Sequence, residues 1–286
     1  MKASVITPNY NGKQFLKTYF DSLNNNKESI GEVILIDNGS DDGSVEFIEN
    51  YSKNLDFPVI VIKNNENVGF AKAVNQGILK SNYNYIFSLN NDTEVEKGAV
   101  KSLISLISSN SNIFSVASKM VQFDNKNLID DAGDEYNILA WTKKTGENQP
   151  LKNYNEVYEI FSSCAGAAMY NKAILDKIGL FDENFFAYME DVDLSYRAKI
   201  NGYKNLFCPD SIVYHIGSAT SGSRYNEFKV KLAARNNVWT VYKNFPIPQK
   251  IVNFIFLFLG FLIKYLFFVK KGFGKTYLEG IKEGLK

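Results

Sequence analysis

Short apolar runs alternate with amphipathic segments through the first 120 residues, and this alternation limits the fold more than any other feature. Apolar runs of four to six residues, bounded by turn residues, are typical of strands buried on both faces. Five such strands are predicted, at Ala3–Thr7, Val33–Ile36, Pro58–Ile62, Tyr85–Leu89 and Ile113–Ser118. Because helical periodicity fills the gaps between them, the pattern predicts an α/β fold whose parallel sheet is covered by helices on both faces.

The second half of the chain repeats this pattern less regularly. Residues 122–160 are polar and aperiodic, which predicts loops and an edge hairpin. Strands are predicted again at Ala167–Tyr170 and Lys204–Phe207, with helices at Lys172–Ile178 and Asp191–Asn201 between them.

Polar side chains crowd the carboxyl ends of the first four predicted strands. The loops that follow them are Thr7–Gly12, Asp37–Ser44, Asn64–Gly69 and Asn90–Asp92, all rich in Asp, Asn, Ser or Gly. Turn chemistry explains part of this composition, because these residues favour loops and helix N-caps. Ligands of parallel α/β sheets bind beyond this edge. Four such loops indicate a polar ligand with many hydrogen-bonding groups, and both a nucleotide and a sugar fit.

Composition restricts the chemistry further. The chain has one histidine, His215, and two widely separated cysteines, Cys164 and Cys208. This excludes a multi-histidine metal centre, a zinc ribbon, an iron–sulfur site and a disulfide scaffold. The net charge is +1, so no overall field recruits nucleic acid, and no nucleic-acid partner is expected.

Two positions at the strand ends bear on phosphate and metal binding. Gly69 opens a helix after a polar loop, where helix amides approach phosphate. Neither a GxGxxG fingerprint nor a P-loop is present. Asp92 directly follows the fourth strand and is placed to hold Mg²⁺ or Mn²⁺ carrying a diphosphate, because these ions prefer oxygen ligands. Its alternative role is to cap the next helix.

Three carboxylates, those of Glu190, Asp191 and Asp193, open a predicted helix after the aromatic run 185–188. Acidic residues in a first turn complement the helix dipole, which accounts for one or two of them. A carboxylate beside an apolar wall has a raised proton affinity and can act as a general base. Asp191 and Asp193 face different directions, so one can reach a substrate while the other braces Arg197.

Five motifs stand in a fixed order along the chain. They are Val5–Asn11, Ile36–Ser44, Asn67–Gly77, Leu89–Thr93, and Gly179–Glu183 with Glu190–Arg197, followed by His215. Together they resemble family 2 glycosyltransferases, most closely the rhamnosyltransferase-like branch, over roughly residues 3–245. The resemblance implies an A-type glycosyltransferase fold, which is a Rossmann-like, mixed and mainly parallel sheet with helices on both faces. It also implies a nucleotide-sugar donor and a divalent metal.

The resemblance assigns the nucleotide end of the site. Asp37 matches the acid that contacts the nucleobase or ribose. The residues that match the surroundings of the base are Thr7, Pro8 and Asn9, and those that match the loop facing the phosphates are Asn67, Gly69 and Lys72.

It also assigns the reacting end. Asn90, Asn91 and Asp92 match the family's Asp-x-Asp metal motif, but Asn90 replaces the first carboxylate, so Asp92 is the expected metal ligand. Asp191 matches the catalytic base, with Glu190 beside it as a second catalytic candidate. His215 matches a histidine that completes the metal site in some members, and its alternative role is that of a buried histidine bonded to backbone.

The expected activity is inverting transfer of a sugar, from a UDP- or dTDP-sugar with Mg²⁺ or Mn²⁺, to an acceptor hydroxyl in cell-surface polysaccharide or glycolipid assembly. Asp191 removes the acceptor's proton in a single displacement. A nucleotidyltransferase is one alternative, although the loop after strand one lacks the glycine- and Lys/Arg-rich sequence expected of it. A non-catalytic glycan-binding protein is the other, and Asn90 is the feature that favours it.

Charge and hydropathy divide the chain near residue 245. Residues 1–245 are expected to form the catalytic domain, with a nucleotide-binding half at 1–120 and an acceptor half at 121–245. Residues 246–286 contain seven lysines and two glutamates, so this tail carries +5 and the remainder −4.

The apolar stretch Ile251–Val269, broken by Asn253, Gly260 and Lys264, predicts a helix in the membrane interface, followed by a basic amphipathic helix over 275–285. The alternative is that the tail packs on the domain or on a second subunit, as in a homo-oligomer. The amino terminus reads as a strand and not as a signal peptide. The expected location is therefore the cytoplasm, peripheral to the inner face of the cell membrane.

Overall fold

Every apolar run predicted as a strand forms one in the computed structural model, which describes residues 1–216 and 225–286. The strands are β1 (Ala3–Asn9), β2 (Ile30–Asp37), β3 (Val59–Lys63), β4 (Tyr85–Leu89), β5 (Thr93–Val95), β6 (Ile113–Gln122), β7 (Ile129–Asp131), β8 (Asp134–Tyr136), β9 (Thr142–Lys144), β10 (Tyr158–Ile160), β11 (Ala167–Asn171) and β12 (Lys204–His215). The helices are α1 (Lys13–Asn24), α2 (Ser44–Tyr51), α3 (Phe70–Lys80), α4 (Ala99–Ile107), α5 (Lys172–Ile178), α6 (Glu190–Ile200), α7 (Glu227–Asn244), α8 (Ile247–Val252), α9 (Phe254–Lys270) and α10 (Gly274–Gly284).

Ten strands form one sheet in the order β10–β12–β6–β11–β4–β1–β2–β3, with β5 beside β12 and β7 beside β6. Strands β1 to β4 are parallel to their neighbours in that group, and β12 is parallel to β6. Strand β11 is antiparallel to both β4 and β6, which makes the sheet mixed. The predicted mixed, mainly parallel sheet with helices is confirmed.

Adjacent residues of each central strand enter different cores. Val5 and Phe87 pack with α1 and α4 on one face of the sheet, whereas Ile6 and Ile86 pack with α3 and α6 on the other. This two-residue alternation is the pleat of a strand covered on both sides. Because apolar side chains cover both faces of these central strands, their polar residues Asn9 and Asp37 lie at the strand ends.

Strand β12 is three times as long as the run Lys204–Phe207 predicts. Its register with β6 shifts between Cys208 and Ile212, and pairing then resumes as far as His215. The last three residues also pair with β5, which sets His215 opposite Thr93. Long-range pairing therefore carries the lone histidine to the end of β4.

The polar region 122–160 contains short strands, as expected. Strands β8 and β9 form a separate antiparallel hairpin, while β7 and β10 join the edges of the large sheet. The loop 137–141 at the hairpin tip includes Trp141, whose indole nitrogen donates to the Gly260 carbonyl of α9 at 3.2 Å. The carboxy-terminal tail, residues 246–286, therefore packs on this hairpin through α9.

Four helices complete the chain. Helix α7, which the sequence did not predict, packs on α10, where Gly280 lies against the Lys231 carbonyl and Gly284 against Val238. Predicted helices at 251–269 and 275–285 correspond to α9 and α10. Among the described residues, no helix is both long and apolar enough to cross a membrane.

Candidate active site

The ends of β1 and β2 are joined by polar side chains. Asn9 Nδ2 donates to Asp37 Oδ1 at 2.8 Å, and Asp37 also accepts from the hydroxyl and the amide of Ser40 at 2.6 and 2.9 Å. Pro8 is half-buried beside them, whereas Thr7 is fully buried and its hydroxyl is bonded to that of Tyr19. The structure therefore places Pro8, Asn9 and Asp37 at one strand edge, with Thr7 beneath them.

Asn9 also connects this end to the end of β4. Its Oδ1 accepts from Asn91 Nδ2 at 2.6 Å, and Asn91 is next to Asp92. Asn90 is half-buried. Its backbone amide donates to the Gly166 carbonyl at 2.9 Å, and its side-chain amide lies against Gly166. A line of hydrogen bonds thus runs from Asp37 to the Asn-Asn-Asp sequence.

The loop before α3 folds on its own side chains. Asn67 Oδ1 accepts from the Gly69 amide at 3.0 Å, and Asn38 Nδ2 donates to the Gly69 carbonyl at 3.3 Å. Lys72, in the first turn of α3, is exposed. The loop is therefore shaped by hydrogen bonds between its own residues and Asn38, and the Lys72 ammonium group is exposed beside it.

The amino end of α3 is engaged by protein. The Phe186 carbonyl accepts from the amides of Phe70 at 2.6 Å and Ala71 at 3.2 Å. A Cβ at Gly69, where φ is +86°, would lie 2.6 Å from that carbonyl oxygen and 2.7 Å from the Phe186 ring. Gly69 therefore makes room for Phe186, and the first-turn amides that the sequence suggested for phosphate have a carbonyl partner.

Asp92 and His215 meet at the end of β4. Oδ1 of Asp92 lies 3.7 Å from Nε2 of His215, and Nδ1 of His215 lies 2.7 Å from Oδ2 of Asp130. Asp92 Oδ1 is buried and has no hydrogen-bond partner in the described parts of the chain. An orphaned carboxylate oxygen facing an imidazole nitrogen at this separation fits a shared divalent cation.

Electrostatics agrees with that fit. Burial raises the pKa of Asp92 above its usual value, and the charge of His215 offsets this only in part. Burial lowers the pKa of His215, but the bond to Asp130 and the charges of Asp92 and Asp130 outweigh it, and the net shift is upward. The same carboxylates that favour a proton on His215 would favour a cation there. Within residues 1–216 and 225–286 no group of three or more His, Cys, Asp or Glu side chains is arranged to hold a metal ion, so Asp92 and His215 form a pair of candidate ligands only.

The carboxylate of Asp191 is held at the start of α6. Oδ2 accepts from the Ala165 amide at 3.2 Å and Oδ1 from the Val192 amide at 2.8 Å. Burial raises the pKa of Asp191 against the opposing effect of these amides. Next to it, Glu190 is 6% exposed and its Oε2 has no bonding partner within residues 1–216 and 225–286. Burial, with the Asp191 charge, raises the pKa of Glu190 strongly.

Asp193 has a structural role, as the two-residue spacing suggested. It is fully buried and binds Arg197 Nε at 3.0 Å, Lys243 Nζ at 2.9 Å and Asn244 Nδ2 at 2.8 Å. These contacts fix α6 to α7. Asp191, two positions nearer to the helix start, is half-buried and takes no part in these contacts.

Sequence reasoning missed an acidic segment, residues 130–134, which begins in β7 and borders the site. Asp130 binds His215, and Lys144 of the hairpin lies 3.2 Å from Asp130 and 3.8 Å from Asp131. Burial raises the pKa of Asp131 to about 6, and the charges of Asp130 and Asp191 add to this effect. The acidic segment therefore contacts the histidine and interacts electrostatically with Asp191, the predicted base. Four aspartates within 124–134 of an otherwise aperiodic region were the available signal.

The model of the family described as "Glycosyl transferase family 2" matches residues 4–179, which include the end of β1, both Asn91 and Asp92, and the turn at Gly166. The chain belongs to glycosyl transferase family 2. This confirms the family resemblance; the rhamnosyltransferase-like branch stays a prediction.

Curated relatives match over most of this chain. The uncharacterized glycosyltransferase YfnE of Bacillus subtilis is 28% identical over 204 residues, which cover 71% of this chain and 49% of YfnE. Poly-beta-1,6-N-acetyl-D-glucosamine synthase of Staphylococcus aureus is 24% identical over 197 residues, covering 68% of this chain and 45% of the synthase. The chain thus spans about half the length of these two relatives.

Solved structures share the fold. GalNAc-T7 with UDP, GalNAc and Mn²⁺ has a TM-score of 0.70 at 20% identity, covering 85% of this chain and 48% of that one. The mannosyltransferase PcManGT of Pyrobaculum calidifontis, with GDP-Man and Mn²⁺, scores 0.63 at 14% identity, covering 98% and 73%. Residues 1–349 of S. aureus TarS with UDP-GlcNAc score 0.61 at 17% identity, covering 90% and 70%. The chain has the A-type glycosyltransferase fold.

Proposed function

We propose that this protein is an inverting glycosyltransferase that moves a sugar from a nucleoside-diphosphate sugar to an acceptor hydroxyl. The observation that carries the proposal is one continuous polar edge. Asp37 connects through Asn9 and Asn91 to the orphaned Asp92 and His215. The carboxylate of Asp191, held by two backbone amides, interacts electrostatically with the acidic segment. Inverting transfer needs both a site for the leaving group and a base, since the two act on opposite sides of one anomeric carbon.

The nucleoside is proposed to bind at the β1–β2 end. Asp37 would accept from the ribose or the base, with Pro8 and Asn9 beside it and Thr7 supporting the strand from below. Asn67 and Gly69 shape the neighbouring loop, and exposed Lys72 is free to approach a phosphate. UDP- and dTDP-sugars are the proposed donors; the UDP and GDP ligands in the fold relatives support a nucleotide sugar as the class.

The diphosphate is proposed to lie at the β4 end. Asp92 and His215 would hold Mg²⁺ or Mn²⁺, with Asn90 and Asn91 contributing neutral polar contacts. When bound, the divalent cation would neutralise charge on the leaving nucleoside diphosphate. Asp130 would keep His215 oriented, so that Nε2 presents its lone pair toward Asp92.

Asp191 is the proposed general base. Two backbone amides keep its carboxylate oriented, while burial raises its pKa and so increases its affinity for the acceptor's proton. The acceptor oxygen would form its bond to the anomeric carbon as the bond to the nucleoside diphosphate breaks. One displacement of this kind inverts the anomeric centre. Glu190, with an unpartnered oxygen beside Asp191, is the second proposed catalytic carboxylate.

A donor panel tests this proposal. UDP-, dTDP- and GDP-sugars are mixed with the protein and Mn²⁺, and nucleoside diphosphate release is measured with and without acceptors. Asp191→Asn should lower transfer by about 10²- to 10⁴-fold with nucleotide binding retained, because only the base is lost. Asp176→Asn, an exposed carboxylate on α5, is the matched control. Transfer that survives in Asp191→Asn rejects the base assignment. With added pyrophosphate, formation of a nucleoside triphosphate and a sugar 1-phosphate indicates a nucleotidyltransferase, and binding with no turnover a glycan-binding protein.

We further propose that the transferred group is a hexosyl or rhamnosyl unit and that the acceptor belongs to cell-surface polysaccharide or glycolipid assembly. The match to a polysaccharide synthase supports that context. Product analysis with dTDP-rhamnose against UDP-hexoses would distinguish the sugar classes.

The tail is proposed to bind the inner face of the cell membrane. Helix α9 rests on the domain through Leu257, Gly260 and Lys264, where Gly260 faces the Leu139 carbonyl and the Lys264 ammonium lies 5.7 Å from the Trp141 ring centroid. The one charged side chain between Phe254 and Val269 therefore points to the protein and not outwards.

The outward face is apolar from end to end. Exposed side chains along it are Phe254, Ile255, Phe256, Phe258, Leu259, Leu262, Ile263, Leu266, Phe267 and Val269. A surface helix in water normally carries polar residues there. Exposed lysines, Lys270 and Lys271, follow the helix end, and together with the +5 tail they favour an anionic lipid surface over a second copy of the same charge.

Flotation with phosphatidylcholine vesicles, with and without about 30% phosphatidylglycerol, tests the surface. The protein should float with the anionic vesicles, and Phe258→Glu with Leu262→Glu should abolish this. Leu79→Glu, an exposed apolar position on α3, is the matched control. Failure to float, with a stable dimer by light scattering that the paired substitutions dissociate, would instead assign the face to a homo-oligomer.

A further inference from the structure

A backbone turn at 185–189 joins the donor side of the site to the base. Phe186, Tyr188 and Met189 have φ values of 64°, 70° and 71°, in the left-handed region that side chains disfavour. Met189 is the N-cap of α6, two residues before Asp191. The turn's other end docks on α3, because the Phe186 carbonyl accepts from Phe70 and Ala71. A strained segment in this position persists only when its surroundings fix it.

One side chain supplies most of that fixation. Asn236 of α7 is 0% exposed, and its Nδ2 donates to the carbonyls of Phe185, Ala187 and Tyr188 at 3.0, 2.9 and 2.7 Å. Its Oδ1 accepts from Nε of Arg235 at 2.9 Å. Both polar atoms of the amide are therefore used, and its nitrogen contacts three of the four carbonyls of residues 185–188.

The residue type suits this task. A carboxylate at 236 would present oxygen to three carbonyl oxygens, and a shorter apolar side chain would remove the donor that these three carbonyls share. Asparagine in a helix interior also lowers helix propensity, so its place in α7 calls for a specific contact. Arg235 adds contacts of 3.1 and 3.0 Å to the carbonyls of Asn184 and Phe185.

We propose that Asn236 is a positioning residue that holds the 185–189 turn, and through it keeps Asp191 in register with the start of α3. Its role towards Asp191 rests on the proposed glycosyl transfer. Its role in the turn does not, since the contacts join protein groups alone.

Thr240→Val provides a matched control on the same helix. Thr240 is also 0% exposed, and its hydroxyl donates to the Asn236 backbone carbonyl at 2.9 Å, without reaching the turn. Replacing it with isosteric valine removes one buried hydrogen bond one turn away. A general loss of α7 stability would affect both variants, whereas loss of the turn would affect Asn236→Ala alone.

Hydrogen exchange by mass spectrometry tests the positioning role without a substrate. In Asn236→Ala, amides in peptides covering 68–74 and 185–194 should exchange about tenfold faster, while the β-sheet keeps its protection. Thr240→Val should leave both peptides as in the wild type. Unchanged exchange in Asn236→Ala, or equal acceleration in Thr240→Val, overturns the proposal. If Asn236→Ala does not fold, Asn236→Ser, which keeps one donor, should accelerate the same two peptides to a smaller degree.

The kinetic measurement separates position from binding. With the donor found by the panel, Asn236→Ala should lower kcat by about 100-fold, because small displacements of a reacting group are costly, and leave the donor KM within about threefold. A rise in the donor KM with an unchanged kcat would contradict the role of Asn236 towards Asp191. If no donor is turned over, the glycosyltransferase proposal fails, while the exchange result still decides the turn.

Discussion

Oδ2 of Asp130 lies 2.7 Å from Nδ1 of His215. Burial would raise the pKa of Asp130, but this bond and the charge of Lys144 lower it to about 2, so the carboxylate is ionised and accepts the proton of Nδ1. His215 is therefore held with Nε2 facing Asp92. A metal-binding histidine is commonly oriented by a carboxylate in this way.

Asp130→Ala should lower the affinity for the divalent cation by about 10- to 100-fold, because the imidazole ring of His215 loses its orientation and some of its basicity. Isothermal titration of Mn²⁺ in the presence of UDP or dTDP measures this directly. Asp124→Ala removes an exposed carboxylate in the same region and should leave the affinity unchanged. Equal affinities in the wild type and in Asp130→Ala would contradict the proposed metal site.

Replacing each of the two aspartates of α6 by asparagine should change the stability of the fold in opposite directions. Burial raises the pKa of Asp191, so its anion destabilises the fold at pH 7, and Asp191→Asn should stabilise it by about 1.4 kcal/mol for each unit of pKa shift. Asp193→Asn should cost about 3 kcal/mol, because Arg197 and Lys243 lose their buried partner.

Thermal denaturation across pH checks both substitutions. The folded-state pKa of Asp191 is raised, so the penalty in the wild type is present above that pKa and disappears as the pH falls below the unfolded-state value, about 4. The advantage of Asp191→Asn should shrink accordingly. A lower melting temperature for Asp191→Asn at pH 7 would show that its carboxylate is stabilised as an anion.

Gly69→Ala and Gly98→Ala separate steric conflict from backbone strain. Both glycines have a left-handed φ, +86° and +91°, but a Cβ at Gly98 meets nothing within 4 Å, whereas one at Gly69 lies 2.6 Å from the Phe186 carbonyl oxygen. We expect Gly98→Ala to cost about 1 kcal/mol from strain alone and Gly69→Ala about 2–4 kcal/mol. Urea denaturation measures both free energies of unfolding. Similar decreases in the two variants would show that the contact with Phe186 adds no steric cost.

Lys264→Met should raise the melting temperature. Burial lowers the pKa of Lys264 to about 8, so its charged form opposes folding at pH 7, and wild-type stability should rise between about pH 8 and 10. Methionine keeps the length of the side chain without the charge. Lys270→Met, at an exposed position, should change little. A pH-independent stability in that range would indicate that Lys264 is solvated.

Local patterns predicted the strands and the strand-end loops, because runs such as Tyr85–Leu89 need only neighbouring residues to be recognised. They did not predict the path of β12, since Pro209 and the bulge at Cys208–Ile212 interrupt its pattern, and pairing with β5 decides where His215 lies. Asp92 was therefore expected as a metal ligand from its place after the fourth strand, whereas His215 was expected as the second ligand only from the family resemblance.

The supporting residues were harder to predict for the same reason. Asp130 and Lys144 lie in an aperiodic region whose turns are fixed by tertiary contacts. Asn236 looks like an ordinary polar residue of a helix until the turn it binds is known. Gly69 was identified as special, but the group that approaches it is a carbonyl from more than a hundred residues later.

The contact between Gly69 and Phe186 also limits how this chain can be recombined. The proposed donor-binding loops come from residues before 120, whereas the turn that contacts the start of α3 comes from beyond 180. A chimaera that takes residues 1–120 from a relative would pair a foreign helix start with the native turn. We therefore expect that grafting a relative's donor preference requires 66–72 and 185–189 to be transferred together with residue 236.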